Sequence, residues 1–140
     1  MDNATELFSE IARCGKWLQA AMDHAGGTTH TLGDIYNGIE SGALQFWPAE
    51  DAAMVTEFIN YPRERHLHVF LAGGNLETID KMRADVERFG VASGCARLTM
   101  SGRKGWARHF KDEGYETTLH TVVKRLDLSI VDEKGEEKTA

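Results

Sequence analysis

The sequence predicts a single mixed α/β domain, and three observations carry that expectation. The apolar period changes from two residues over 65–72 to 3.6 over 76–89 and back to a strand-like run over 96–100, the pattern of a strand, a crossover helix and a parallel strand joined in a right-handed sense. Upstream, strand-like runs at 44–47, 54–61 and 65–72 follow one another through short connections, which favours antiparallel neighbours. A chain of 140 residues, 41% hydrophobic and 27% charged, can bury one core and is too short for two good ones.

The elements are justified in order along the chain. Leu7, Ile11, Trp17, Leu18, Ala21 and Met22 recur at near-helical spacing, and Asn3 stands three residues before Glu6 as a capping pair, so a first helix is expected over about 5–24. Gly26-Gly27 ends it. Thr31 and Asp34 open a short second helix that carries Ile35 and Ile39 on one side and stops at Gly42. Pro48 and the Tyr61-Pro62 pair separate the three strands. In the first of these, Phe46 and Trp47 are adjacent and therefore face opposite sides. Leu76, Ile79, Met82, Val86 and Phe89 form the apolar stripe of a long helix whose charges mostly lie elsewhere on its wheel. A helix over 106–113, stopped by Gly114, and a final strand over 115–126 complete the pattern. The domain is expected to span 1–130, with 131–140 a charged flexible tail.

Composition sets the function classes aside by physics. A net charge of −6 supplies no chain-wide field for phosphates, so no nucleic-acid partner is expected. No apolar run reaches membrane-spanning length, so no membrane partner is expected either. Cys14 and Cys95 lie far apart with no C-x-x-C spacing and read as reduced thiols. His66 and His68 share a strand face, but nothing nearby supplies a third ligand, and no metal is expected. No nucleophile can be assigned from sequence order.

Two places hold candidate binding residues. The run Gly102-Arg103-Lys104-Gly105-Trp106 joins two cations and an aromatic at the end of a strand, where α/β sheets bind ligands. Arg103 can fork onto a phosphate or a carboxylate, and Arg103, Lys104 and Trp106 are the candidate partner or ligand residues. The other reading makes Trp106 a core anchor and leaves the cations in water. The turn Gly73-Gly74-Asn75, at the start of the long helix, is the candidate cofactor position.

Ala107, Phe110 and Gly114-Tyr115, at the spacing of an alanine, a tyrosine and a Gly-Phe pair, resemble the closing segment of GNAT-type N-acetyltransferases. The element order over about 44–126 resembles that family as well. The resemblance implies a GNAT-like mixed sheet, and for an active member an acyl-CoA-dependent N-acetyltransferase with acetyl-CoA as cofactor. It also implies two departures. The family tyrosine donates a proton to the leaving thiolate, whereas Phe110 has no hydroxyl. The family's pyrophosphate loop reads Arg/Gln-x-x-Gly-x-Gly/Ala, whereas Ala72-Gly73-Gly74-Asn75-Leu76-Glu77 carries no cation and puts a carboxylate in the first helical turn. No cofactor and no catalytic residue are therefore expected.

The runs Leu32-x-Asp34-Ile35-Tyr36-x-Gly38-Ile39, Leu44-Gln45-Phe46-Trp47, Leu71-Ala72-Gly73-Gly74 and Gly94-Cys95 are similar to GNAT-like proteins encoded by tailed bacteriophages. This second resemblance implies a non-catalytic protein of virion assembly, or a virion component. It would work through contacts with other phage proteins in the host cytoplasm or in the virion.

Overall fold

The computed structural model describes residues 3–24, 29–102 and 104–126. They form α1 (Asn3–His24), α2 (Leu32–Glu40), β1 (Leu44–Pro48), β2 (Ala52–Asn60), β3 (Arg65–Gly74), α3 (Leu76–Ala92), β4 (Arg97–Met100), α4 (Lys104–His109) and a 3-10 turn at Lys111–Glu113. Gly26-Gly27, Arg103 and the expected tail at 131–140 lie outside the described residues.

The four strands make one sheet in the order β1-β2-β3-β4. β1, β2 and β3 are antiparallel neighbours, and β4 is parallel to β3, which is the mixed sheet that the apolar periods predict. α1 and α2 cover one face. Ile11, Cys14, Leu18 and Met22 of α1 and Ile35 of α2 close over Ala53, Val55 and Leu71. Burial pushes the Cys14 thiol pKa up. α3 and α4 cover the other face, where Ile79, Val86 and Phe110 pack on Ala52, Met54, Leu67 and Val69. As alternation requires, Phe46 joins the first core and Trp47 the second. The Trp47 indole donates to Thr56 Oγ1 (3.0 Å), whose hydroxyl donates to Gln45 Oε1 (2.9 Å), so the fully buried Thr56 is satisfied.

α2 begins as its sequence dictates. Thr31 Oγ1 accepts from the Asp34 amide, and the Asp34 carboxylate accepts from the Thr31 amide, which holds the Asp34 pKa below the usual carboxylate value. α1 already includes Asn3, so that residue lies inside the first turn and not ahead of it.

Two expectations are corrected at the carboxyl end. The helix expected over 106–113 starts at Lys104 and gives way to the 3-10 turn at Phe110. Phe110 is 1% exposed and packed against Trp106, His109 and Tyr115; holding that ring in the core tightens the last turn, and Gly114 then ends it at φ +92. The strand expected over 115–126 makes no ladder with another strand among the described residues. Its apolar residues supply a strand's side chains, but among the described residues no strand edge is bonded to them. Leu119 is 85% exposed and Val122 94%.

Candidate functional site

β3 is the hinge of the site because its two edges are paired to different lengths. Toward β2 it is bonded along its whole run, from Arg65 opposite Asn60 to Gly74 opposite Ala52. Toward β4 the pairing ends at Val69 opposite Met100, and residues 70–74 continue without a strand partner on that side among the described residues. The two parallel strands therefore part at their carboxyl ends, the position at which open α/β sheets hold ligands.

A bulge sits at this parting. The register steps from Val55 opposite Leu71 to Thr56 opposite Val69, so Phe70 has no partner on β2. The extra residue reverses the alternation of β3. Leu67 and Val69 face α3, whereas Leu71 faces α1.

The turn that follows is closed by the protein itself. A Cβ on Gly73 would stand 2.5 Å from the Trp17 carbonyl oxygen, and one on Gly74, at φ +109, would stand 2.4 Å from the Asp51 carbonyl oxygen. Both glycines thus serve close approach of one backbone to another. Asn75 Oδ1 accepts from the amides of Glu77 (2.9 Å) and Thr78 (3.2 Å), and the Asn75 amide donates to the Asp51 carbonyl. The amides that a phosphate would use at this helix start already have an oxygen, and Glu77 adds negative charge beside them.

The loop after β4 is built on Trp106. Its ring lies over Gly102, where a Cβ would stand 2.6 Å from it, and it joins the α3-side core half-buried. Lys104 takes the first position of α4. Phe110 fills the core at the place where the resemblance puts a tyrosine.

On the α1/α2 side of the same strands lies a polar cluster that sequence reading took only as a pair of histidines. His68 and His66 make separate contacts. His66 Nε2 meets the Glu64 carboxylate (2.6 Å) and its ring lies against Tyr61. His68 Nδ1 is hydrogen-bonded with Thr99 Oγ1 (2.8 Å), and its Nε2 is 3.4 Å from Ser101 Oγ. Burial lowers the His68 pKa, and Glu57, opposite it on β2, offsets part of that shift. Among the described residues no group of three metal-ligating side chains occurs. The chemistry available here is that of a neutral imidazole between two hydroxyls, able to accept a proton. The parallel pairing of β3 with β4 brings these residues together across more than thirty positions of sequence, and no local motif announces it.

Tyr115 anchors the far end of the site. Its hydroxyl donates to Glu87 Oε1 (2.7 Å), while Arg83, 7% exposed, donates to Asp80 (3.1 Å) and Glu87 (2.8 Å) and reaches Glu113 (3.4 Å). Burial works against the Arg83 charge, but Asp80 and Glu87, with Tyr115, outweigh it and raise its pKa. Burial, then Glu87, raise that of Tyr115. Beyond this anchor a groove of about 1340 Å³ is lined by β4, the end of α3, the Ser101-Gly102 turn, Trp106 and residues 116–121.

No protein-family model matches the chain, and no curated protein matches it in sequence. Solved structures do match in shape. A possible acetyltransferase from Clostridium difficile 630 superposes with a TM-score of 0.60 at 5% identity, covering 86% of this chain and 93% of the other. An aminoglycoside acetyltransferase, HMB0005, from an uncultured soil metagenomic sample gives 0.57 at 10% identity, covering 84% and 93%. Aminoglycoside N-acetyltransferase AAC(6')-Iy in complex with CoA gives 0.54 at 13% identity, covering 77% and 94%. At such identities the likeness is one of fold, and the fold of this chain is that of the GNAT acetyltransferases.

Proposed function

We propose that this chain is a GNAT-fold protein that works by binding other proteins and does not transfer acyl groups, in the setting that its sequence resemblance implies, the assembly or the particle of a tailed phage. The observation that carries the reading is the closed start of α3. Asn75 occupies the amides of Glu77 and Thr78, the two glycines are pressed onto neighbouring backbone, and the first turn is acidic. A pyrophosphate placed there would have to displace an intramolecular cap and sit beside a carboxylate. Phe110 adds to the argument, since a buried phenyl ring offers no proton to a leaving thiolate.

A second reading, an acyl-CoA-dependent N-acetyltransferase, is favoured by the His68 cluster. A neutral imidazole stands beside the parting of β3 and β4, where it can take a proton from an amine, and a solved neighbour of the same fold holds CoA. Calorimetric titration with acetyl-CoA separates the two. Under the first reading no saturable heat appears at micromolar protein. Binding in the micromolar range, about −8 kcal/mol, overturns it and transfers the proposal to the enzyme. The phage setting has its own test, which is whether the protein is retained in purified particles after stringent washing.

A further inference from the structure

We propose that Ser101 and His68 form a nucleophile–base pair that hydrolyses small uncharged carboxylic esters through an acyl-serine intermediate. Ser101 is the exposed residue that follows β4, at the parting of β3 and β4, and its hydroxyl oxygen is 3.4 Å from His68 Nε2. That separation is at the outer limit of a hydrogen bond, as nucleophile and base often are before substrate closes them. The other ring nitrogen is held. With the proton on Nδ1, donated to Thr99 Oγ1 at 2.8 Å, the Nε2 lone pair is left to face Ser101. Glu57, opposite His68 on β2, favours the charged ring that forms when Nε2 takes a proton. Hydroxyl, imidazole and carboxylate thus come together from β4, β3 and β2.

The surroundings suit a neutral ester. Among the described residues the β3 edge beyond Val69 has no strand partner, so those of its amides that point away from β2 can receive the oxyanion of a tetrahedral intermediate. Phe70 is next on that strand, half-buried with its ring against His30, and gives a short acyl chain an apolar flank. The Glu57 charge disfavours an anionic substrate. In the reaction the Ser101 proton passes to His68 Nε2 as Oγ bonds to the ester carbonyl carbon. The bond from that carbon to the alkoxy oxygen then breaks, and the alcohol leaves with the proton from Nε2. Water follows the same course: it gives a proton to Nε2, bonds to the acyl carbon and expels Ser101 Oγ, which takes the proton back. One ester and one water become one acid and one alcohol, with nothing else consumed. The proposal goes beyond both readings above, because the acyl group comes from an ester and not from acyl-CoA, and ends on water and not on an amine. It stands whichever way the acetyl-CoA titration falls.

The test uses the full chain with p-nitrophenyl acetate at neutral pH, followed by release of p-nitrophenol and by mass analysis of acid-quenched digests. The parent is expected to catalyse release and to carry one acetyl group on the peptide that holds Ser101. Ser101→Ala, on an exposed side chain, should lower the protein-catalysed rate at least about 10²-fold, and His68→Gln about 10²- to 10⁴-fold. Thr99 acts through His68 and is a positioning residue. Thr99→Val should slow release about tenfold, and Thr99→Ser should restore it, which a merely structural threonine would not require. A parent that releases no p-nitrophenol above the buffer rate overturns the proposal. So does a rate that Ser101→Ala leaves unchanged, and so does acetylation confined to lysines or to His68, which would mark ordinary surface nucleophiles.

Discussion

The two edges of β3 differ in how they are held. The β2 edge is bonded from Arg65 to Gly74 and lies between two side-chain layers, with Ala52, Ala53 and Val55 fully buried and Met54 nearly so. Among the described residues the β4 edge is bonded over Arg97–Met100 only, and beyond it the chain runs out through Tyr115 into an exposed run over 116–126. Burial closes one side of the sheet, while a few specific side chains hold the other in place. The parting of β3 from β4, the His68 cluster and the groove all lie on the second side.

The largest expected effect probes what holds the second side. Phe110→Ala removes a 1% exposed ring that touches Trp106, His109 and Tyr115 and should cost about 3–5 kcal/mol. Leu18→Ala, in the fully buried layer under α1, should cost about 2–5 kcal/mol. Urea unfolding measures both. If Phe110→Ala costs under 1 kcal/mol, the α4 region is not part of the cooperative core. Phe110→Tyr sharpens the point, because a hydroxyl buried without a partner costs about 1–3 kcal/mol.

A middle-sized effect comes from Arg83, whose guanidinium ties α3 to Glu113 and lies 5.9 Å from the Tyr115 ring. Arg83→Met keeps the stem and removes the charge-assisted bonds, for a loss of about 1.5–3 kcal/mol. Limited proteolysis within 116–126 should accelerate with it. Unchanged cleavage would show that Tyr115 alone sets the path of the chain.

A smaller effect tests the closed helix start. Asn75→Ala should cost about 1 kcal/mol, and Asn75→Gly only a few tenths. The glycine variant leaves the amides of Glu77 and Thr78 without their cap. A phosphate titration followed by thermal shift should then show weak stabilisation that the parent lacks. Equal responses would mean that the cap does not keep anions out.

Much of this architecture is legible in the sequence because it is local. The Thr31–Asp34 box, the stripe from Ile79 to Val86, the turn signals around β1 and β2 and the return to a strand at 97–100 each depend on neighbours within a few residues. What failed to show is non-local. The bulge at Phe70 is invisible to alternation, since the run from His66 to Leu71 reads as one regular strand. The residues over 115–126 have a strand's composition, but pairing depends on an edge that composition does not encode. The His68 cluster exists only because β4 lies beside β3. Arg103 was singled out on chemistry and lies outside the described residues, whereas its neighbour Trp106 is packed on Gly102.

The smallest expected effect is electrostatic and asks whether His68 belongs to the core or to the chemistry of the open side. Burial holds its pKa below the ordinary value of about 6.5, so in the window between the folded and unfolded values the unfolded chain binds more protons. Stability then rises with pH across that window. The contribution is complete above about pH 6.5 and is lost as pH falls through the folded pKa. His68→Gln keeps a polar side chain beside Thr99 and Ser101 but cannot titrate. The gap in urea midpoint between parent and variant should therefore narrow on acidification, while effects of the other histidines and carboxylates cancel in the difference. A gap that widens instead would mean that His68 is charged and held by Glu57 in the folded state. That outcome would remove the neutral base on which the acetyltransferase reading depends.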